Sequence, residues 1–294
     1  MKQRAAERRF IITFLAPAVL LYSGLVVLPA INALRLSLYR WDGLRKPVFI
    51  GLANFGRIFA HGSEFVNALH HNIFLTVAPG AIILVLALFF AFTIHQEVPG
   101  ARVFRVAFFF PNVMSSVAIT LLWVLIYSTS GAGLLNNVLK SVFHYHEAVP
   151  FTESSRLLWS LVPMIVWTAT GFYMVLFLAA MENIPETYYE AARLDGAGTG
   201  ALFRYVTLPL MWDVFTTGVI FLIVGGLKAF DSIWIMENGR PGADTHTMST
   251  LMYTKVFEDY NIGFGCAVTV LLFLLVLGVT LVSLRLMQRE RLEY

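Results

Sequence analysis

The 294-residue chain is 58% hydrophobic and only 13% charged, with a mean hydropathy of +0.72; a soluble domain carries roughly 25% charged residues. That balance excludes an ordinary soluble globular protein, and a formal net charge of +3 is too small to argue for a nucleic-acid partner. One cysteine, Cys266, excludes an internal disulfide framework and a cysteine-built metal cluster.

In chain order, Lys2, Arg4, Arg8 and Arg9 precede an apolar run over 10–34. The run is longer than the roughly 7–15 residues of a signal-peptide core, and no convincing small-residue cleavage site follows, so an uncleaved first span is expected. Residues 35–73 are mixed and aromatic, with Trp41-Asp42-Gly43 and Gly51-Leu52-Ala53-Asn54-Phe55. They read as an external loop with a short interfacial helix. Further spans are expected at 74–94, 106–127, 157–181, 211–230 and 264–286, each near or above the roughly 20 residues that cross a hydrocarbon core. The fold class is therefore an all-α integral membrane protein, one domain of six transmembrane helices.

The third span contains Pro111 and Asn112. Asn112 reads either as a polar group on a solute path or as an interhelical hydrogen-bonding group. Residues 128–156 read as an external loop; His144 and His146 lack the spacing of a zinc site, and no metal is expected. The fourth span offers Trp167, Thr168, Thr170, Phe172 and Tyr173, aromatics and hydroxyls that suit a sugar but also suit ordinary packing. Lys228 and Asp231 stand three apart near the outer end of the fifth span, which would put them on one helix face, paired or snorkelling to the interface. Residues 231–263 read as a Gly/Pro-punctuated external loop. Arg285, Arg289 and Arg291 close the sequence.

Between the fourth and fifth spans, residues 182–210 form a polar island. Glu190, Ala191 and Ala192 favour helix, Gly196 and Gly198 break it, and Ala201 to Val206 resume it before Pro209. Helix–turn–helix just outside the bilayer is the expected form. The run Gly196-Ala197-Gly198-Thr199-Gly200 follows a helical pattern rather than a strand, and no Gly-x4-Gly-Lys-Ser/Thr occurs, so nucleotide binding by this chain is not expected. Segments 1–9, 95–105, 182–210 and 285–294 hold eleven lysines and arginines in 59 residues, against nine in 101 residues for 35–73, 128–156 and 231–263. That bias puts both termini and the island in the cytoplasm.

Glu190-Ala191-Ala192, then Gly196, then Val206-x-Leu208-Pro209 at this spacing resembles the signature of ABC-importer permease subunits. The flanks Ala180 to Pro185 and Asp195-Gly196-Ala197, with Phe230-Asp231-Ser232-Ile233-Trp234 and Asn238-Gly239-Arg240-Pro241, resemble its carbohydrate-uptake branch, the maltose/glycerol-phosphate permeases. Gly239-Arg240-Pro241 departs from the Gly-Gly-Pro usual there. The resemblance implies a coupling helix docked on a separate ATPase. Glu190 would meet a basic group of that ATPase, Ala191 and Ala192 would allow close approach, and Gly196 would turn where a Cβ would obstruct. Asp195, Leu208 and Pro209 complete the loop. It also implies a second homologous permease, an ATPase dimer that carries the ATP and Mg, an extracytoplasmic solute-binding protein, and a bacterial inner membrane whose lipid surrounds the spans. Counted back from Pro185, Thr168, Ala169 and Phe172 fall where permeases for maltose touch sugar, whereas Gly226 and Ala229 fall where those permeases use polar side chains. A sugar or oligosaccharide is the cargo so implied; glycerol phosphate esters or another small polar solute, or more remotely an intramembrane enzyme, are the alternatives. The chain itself is expected to be no enzyme.

Overall fold

The computed structural model describes residues 2–60, 63–96 and 98–287; Arg289 and Arg291, and the side chains of the basic residues before Phe10, lie outside that description. Two compact units are present, residues 1–63 with 251–273, and residues 64–250 with 274–294.

In the first unit, α1 (Lys2–Tyr22) passes through a π-helical turn, Ser23–Val27, into α2 (Leu28–Leu36). Pro29 stands at the start of α2, where its missing N–H is tolerated. A two-residue antiparallel ladder follows, β1 (Tyr39–Arg40) against β2 (Val48–Phe49), with Tyr39 opposite Phe49. Its turn is tied by Asp42, whose carboxylate accepts the backbone N–H groups of Arg45 at 2.8 Å and Leu44 at 3.0 Å. Those donors hold the Asp42 carboxyl below the usual carboxylate range. Asn54, buried on α3 (Ala53–Ile58), donates to the carbonyls of Ser37 and Tyr39 at 2.8 and 2.9 Å.

The second unit is built on α4 (Glu64–His95) and α8 (Ser154–Glu182). On α4 the residues Ile83, Ala87, Ala91 and Ile94 recur on one face and are buried; on α8 Tyr173, Met174, Phe177, Leu178 and Met181 do the same. Small alanines let the two backbones approach, and one apolar cluster fills the seam. The helix α4 begins ten residues before the expected second span and takes in His70 and His71.

The expected third span, 106–127, is not one helix. It is α5 (Ala101–Val113) and α6 (Ser116–Tyr127), bent by 98°. Pro111 has no N–H to give to the ladder, and Met114 and Ser115 are extended, so the chain turns there. The expected external loop at 128–156 contains α7 (Leu134–Phe143).

After α8 come α9 (Glu186–Leu194), α10 (Thr199–Leu202), a π-helical turn Phe203–Thr207, α11 (Leu208–Leu210), α12 (Trp212–Leu227) and α13 (Asp231–Met236). The helices α14 (Met248–Tyr253) and α15 (Ile262–Met287) complete the chain. The reading of 231–263 as an external loop needs correction. Thr245, His246, Thr247, Ser249 and Thr250 are all buried. Buried backbone polar groups need partners, and here they have them. Thr247 Oγ1 donates to the Ala229 carbonyl at 2.7 Å, and the Met248 N–H donates to Asn72 Oδ1 at 2.8 Å.

Candidate functional site: a cavity at a helix break and an exposed polar island

A cavity of about 350 Å³ opens where α12 stops. Six residues singled out from sequence line it: Ala169 and Tyr173 from α8, and Gly226, Lys228, Ala229 and Asp231 from the break between α12 and α13. Leu75, Thr76 and Gly80 of α4 and Ser116 at the start of α6 add to the wall. Phe172 is not part of that wall, but its ring packs edge-on against Tyr173 at 5.1 Å and lies 6.4 Å from Phe221, which is. Thr168 turns its hydroxyl back to the Met164 carbonyl of its own helix at 2.8 Å. Asn112 is exposed on α5 and is not in the cavity wall.

The helix break overturns one expectation. Lys228 and Asp231 do not share a helix face, because α12 ends at Leu227, Lys228 caps it and Asp231 opens α13. No ion pair joins them. Instead the Asp231 carboxylate accepts the Ser116 hydroxyl at 2.7 Å, tying the first residue of α13 to the first residue of α6. Lys228 leaves its exposed ammonium on the cavity wall, beside the carbonyl end of α12, where a cation is favoured.

Asn72 builds the break, and sequence reasoning missed it. It is fully buried on α4. Its Nδ2 donates to the carbonyls of Gly226 and Leu227 at 2.9 and 3.1 Å. These are carbonyls that the end of α12 frees from the helical ladder. Its Oδ1 takes the Met248 N–H, so one amide holds two strands of irregular chain. Gly226 also explains the missing polar side chain at its position: a Cβ there would collide with Thr76. The signal for Asn72 was a lone Asn one turn before an apolar run, in a segment that composition assigned to a loop.

The island folds as expected in outline. Tyr189 is buried with Ile184 and Leu202, and Ala192, Ala197, Val206 and Leu210 pack around them. The Tyr189 hydroxyl lies 3.2 Å from Thr207 Oγ1 in the buried interior. Arg193 pairs with Glu186 at 2.9 Å across the exposed face of α9. This miniature core makes the island one stiff piece. Glu190, Ala191 and Asp195 are exposed on it, and Leu208 and Pro209 are half-buried at its exit. Leu194 is 89% exposed, an apolar side chain left without cover. Gly196 makes the turn for the conformational reason that its helix-breaking role implies. Nothing stands within 4 Å of a Cβ built there, but its φ is +82°, so the left-handed turn after α9 needs glycine. Beside the island, Arg105 of α5 pairs with Glu182 of α8 at 2.9 Å.

Comparison with known proteins places this arrangement. The family described as binding-protein-dependent transport system inner membrane component matches residues 83–293. A protein of Pyrococcus horikoshii described as a probable ABC transporter permease is 30% identical over 283 residues, covering 95% of this chain and 96% of that protein. AmyD of Thermoanaerobacterium thermosulfurigenes, described as a probable starch degradation products transport system permease, is 27% identical over 281 residues, 95% of this chain and 94% of its own. A chain from the crystal structure of a bacterial alginate ABC transporter, in complex with an alginate pentasaccharide-bound periplasmic protein, has a TM-score of 0.81 at 19% identity. That likeness covers 99% of this chain and 98% of that one, and it is a likeness of fold.

Proposed function

The chain belongs to the binding-protein-dependent transport system inner membrane components, the permeases of ABC importers, and from that premise we propose that it forms half of the translocation path for a sugar or oligosaccharide. The observation that carries the proposal is the cavity at the end of α12, with aromatic Tyr173, hydroxyl-bearing Thr76 and Ser116, and the charged pair Lys228 and Asp231 on one wall. Sugars present flat apolar faces and many hydroxyls, and such a wall meets both. Relatives named for starch degradation products support this cargo over others. A bare ammonium at Lys228 is the one feature that favours an anionic cargo such as a glycerol phosphate ester.

A second, homologous permease supplies the other half of the path. An extracytoplasmic binding protein delivers the solute, and an ATPase dimer with ATP and Mg drives the cycle. The island is the lever. Glu190 and Ala191 lie bare on a stiff helix–turn–helix, so force from a closing ATPase passes into α8 and α12 without being absorbed locally. Rigid-body rocking of the spans then gives alternating access. Thr168, Ala169, Phe172, Tyr173, Gly226, Lys228, Ala229, Asp231 and Asn112 remain the residues proposed for the path, with Ser116 and Thr76 added.

The test is purification of a tagged chain from native membranes as wild type and as Glu190→Arg. The expected result is co-purification of an ATPase and a second permease with the wild type, and an ATPase yield at least about ten-fold lower with the variant, equivalent to about 1.4 kcal/mol. Uptake by the reconstituted wild-type complex is then measured with a panel of oligosaccharides and with glycerol phosphate. Uptake of glycerol phosphate alone would overturn the sugar assignment.

A further inference from the structure

We propose that α7 is an amphipathic helix lying in the outer lipid–water interface, with Leu134, Val138 and Val142 in contact with the bilayer. The inference rests on the chain spanning a membrane, and is independent of which solute is carried.

Three observations carry it. The first is depth. Asn136 is buried on α7 and its Nδ2 donates to the carbonyls of Tyr127 and Ser128, at 3.3 and 3.0 Å, and of Val149 at 3.1 Å. Tyr127 is the last residue of α6. One amide therefore pins α7 to the end of a membrane helix.

The second observation marks that end as an interface. Tyr127 packs on Phe151 at 5.1 Å and donates its hydroxyl to the Ser160 carbonyl at 2.6 Å. Trp159, 69% exposed in the second turn of α8, sits edge-on to Phe74 at 4.7 Å. Trp and Tyr are enriched at membrane–water interfaces; here Trp159 is exposed, with Tyr127 buried behind it.

The third is the division of the helix itself. At 100° per residue, Leu134, Val138 and Val142 follow one another along one stripe, and Leu135 and Leu139 fall on the next. The second stripe is the half-buried one, and Leu135 packs against the cluster that contains Tyr127 and Leu157. The first stripe is bare, with exposures of 62% at Leu134, 40% at Val138 and 62% at Val142. The remaining arc carries Lys140 and Asn137, both exposed, with Ser141 at the edge of the bare stripe and exposed Phe143 at the helix end beyond the protein-facing leucines. A helix lying flat at a bilayer surface beside a protein wall needs these three faces in this order: lipid, protein and water. Lys140 lies opposite the apolar stripe, placed to meet headgroups or solvent. Helices of this kind sink their apolar side about 5–10 Å into the boundary between headgroups and chains.

The test uses the full chain with whatever subunits co-purify, in nanodiscs of phosphatidylethanolamine and phosphatidylglycerol. In a Cys266→Ala background, single cysteines at Val138, Val142, Asn137 and Lys140 carry a nitroxide. Accessibility to oxygen, which concentrates in lipid, is compared with accessibility to a water-soluble nickel chelate. The expected result is at least a three-fold higher oxygen-to-nickel ratio at 138 and 142 than at 137 and 140. Equal ratios at all four sites would overturn the proposal by placing the stripe in water. Protection of 138 and 142 from both probes would also overturn it, because a protein surface would then cover them. If that protection appeared only on adding the solute-binding protein, the stripe would be its docking site instead.

Discussion

Asn72 shows how much one side chain can decide. Helix α12 ends at the cavity, and its last carbonyls lack partners in the helical ladder. Asn72→Leu keeps the number of side-chain heavy atoms and removes every hydrogen-bond partner. The Gly226 and Leu227 carbonyls and the Met248 N–H are then left unpaired in a buried site, at about 1–3 kcal/mol for each group that finds no substitute. The expected outcome is a fall in melting temperature on the order of 5–10 °C for the detergent-purified chain. Asn72→Asp keeps the acceptor for Met248 but sets a carboxylate against the Gly226 and Leu227 carbonyls in a buried site, and should melt no higher than Asn72→Leu. A variant that melts with the wild type would mean that water already serves these groups. Gly196 makes the complementary point. Sequence placed the turn there on glycine's backbone freedom, and the positive φ of Gly196 agrees with that reason.

Elements were legible where apolar periodicity is long. The runs that became α4, α8 and α15 announce themselves by length alone. Short or polar elements did not. The segment 134–143 repeats apolar residues at i and i+4, but it is too short for a span and is flanked by Gly131, Gly133, His144 and His146, so composition classed it as loop. Residues 245–250 are polar by composition and buried in fact, because their partner, Asn72, stands about 170 residues away. The same long-range logic joins α6 to α13. Ser116 and Asp231 begin these two helices and share one hydrogen bond. If that bond makes the helices move together at the cavity wall, Ser116→Ala and Asp231→Asn disable the same thing. Uptake rates from a double-mutant cycle should then show the double variant no worse than the worse single one. Multiplying losses would mean that the two residues act separately. Both groups are exposed in this structure, so their effect on stability should be small and their effect on transport the larger one.

For the whole molecule, topology turns on the pair α5–α6, bent by 98°. Two contacts bear on it. Arg105, in the second turn of α5, pairs with Glu182 at the C-terminal end of α8. Tyr127, at the end of α6, donates to Ser160 near the N-terminal end of α8. The pair therefore runs the length of α8, from one end to the other. At about 1.5 Å per residue, the 29-residue α8 is long enough to cross the whole bilayer. So the bent pair should act as one broken span, and residues 102 and 190 should lie on one side with residue 140 on the other. Charge density sets which side is which: basic residues crowd the segments that include 95–105 and 182–210, the mark of the cytoplasmic face. In a Cys266→Ala background, Lys140→Cys should react with a membrane-impermeant maleimide on intact spheroplasts. Arg102→Cys and Glu190→Cys should react only after permeabilisation. Reaction at 102 but not at 190 in intact spheroplasts would make the pair re-entrant and leave five spans. Reaction at 190 would turn the island away from the cytoplasm, where no ATP-driven partner could reach Glu190, and the coupling role proposed for it would fall with the topology.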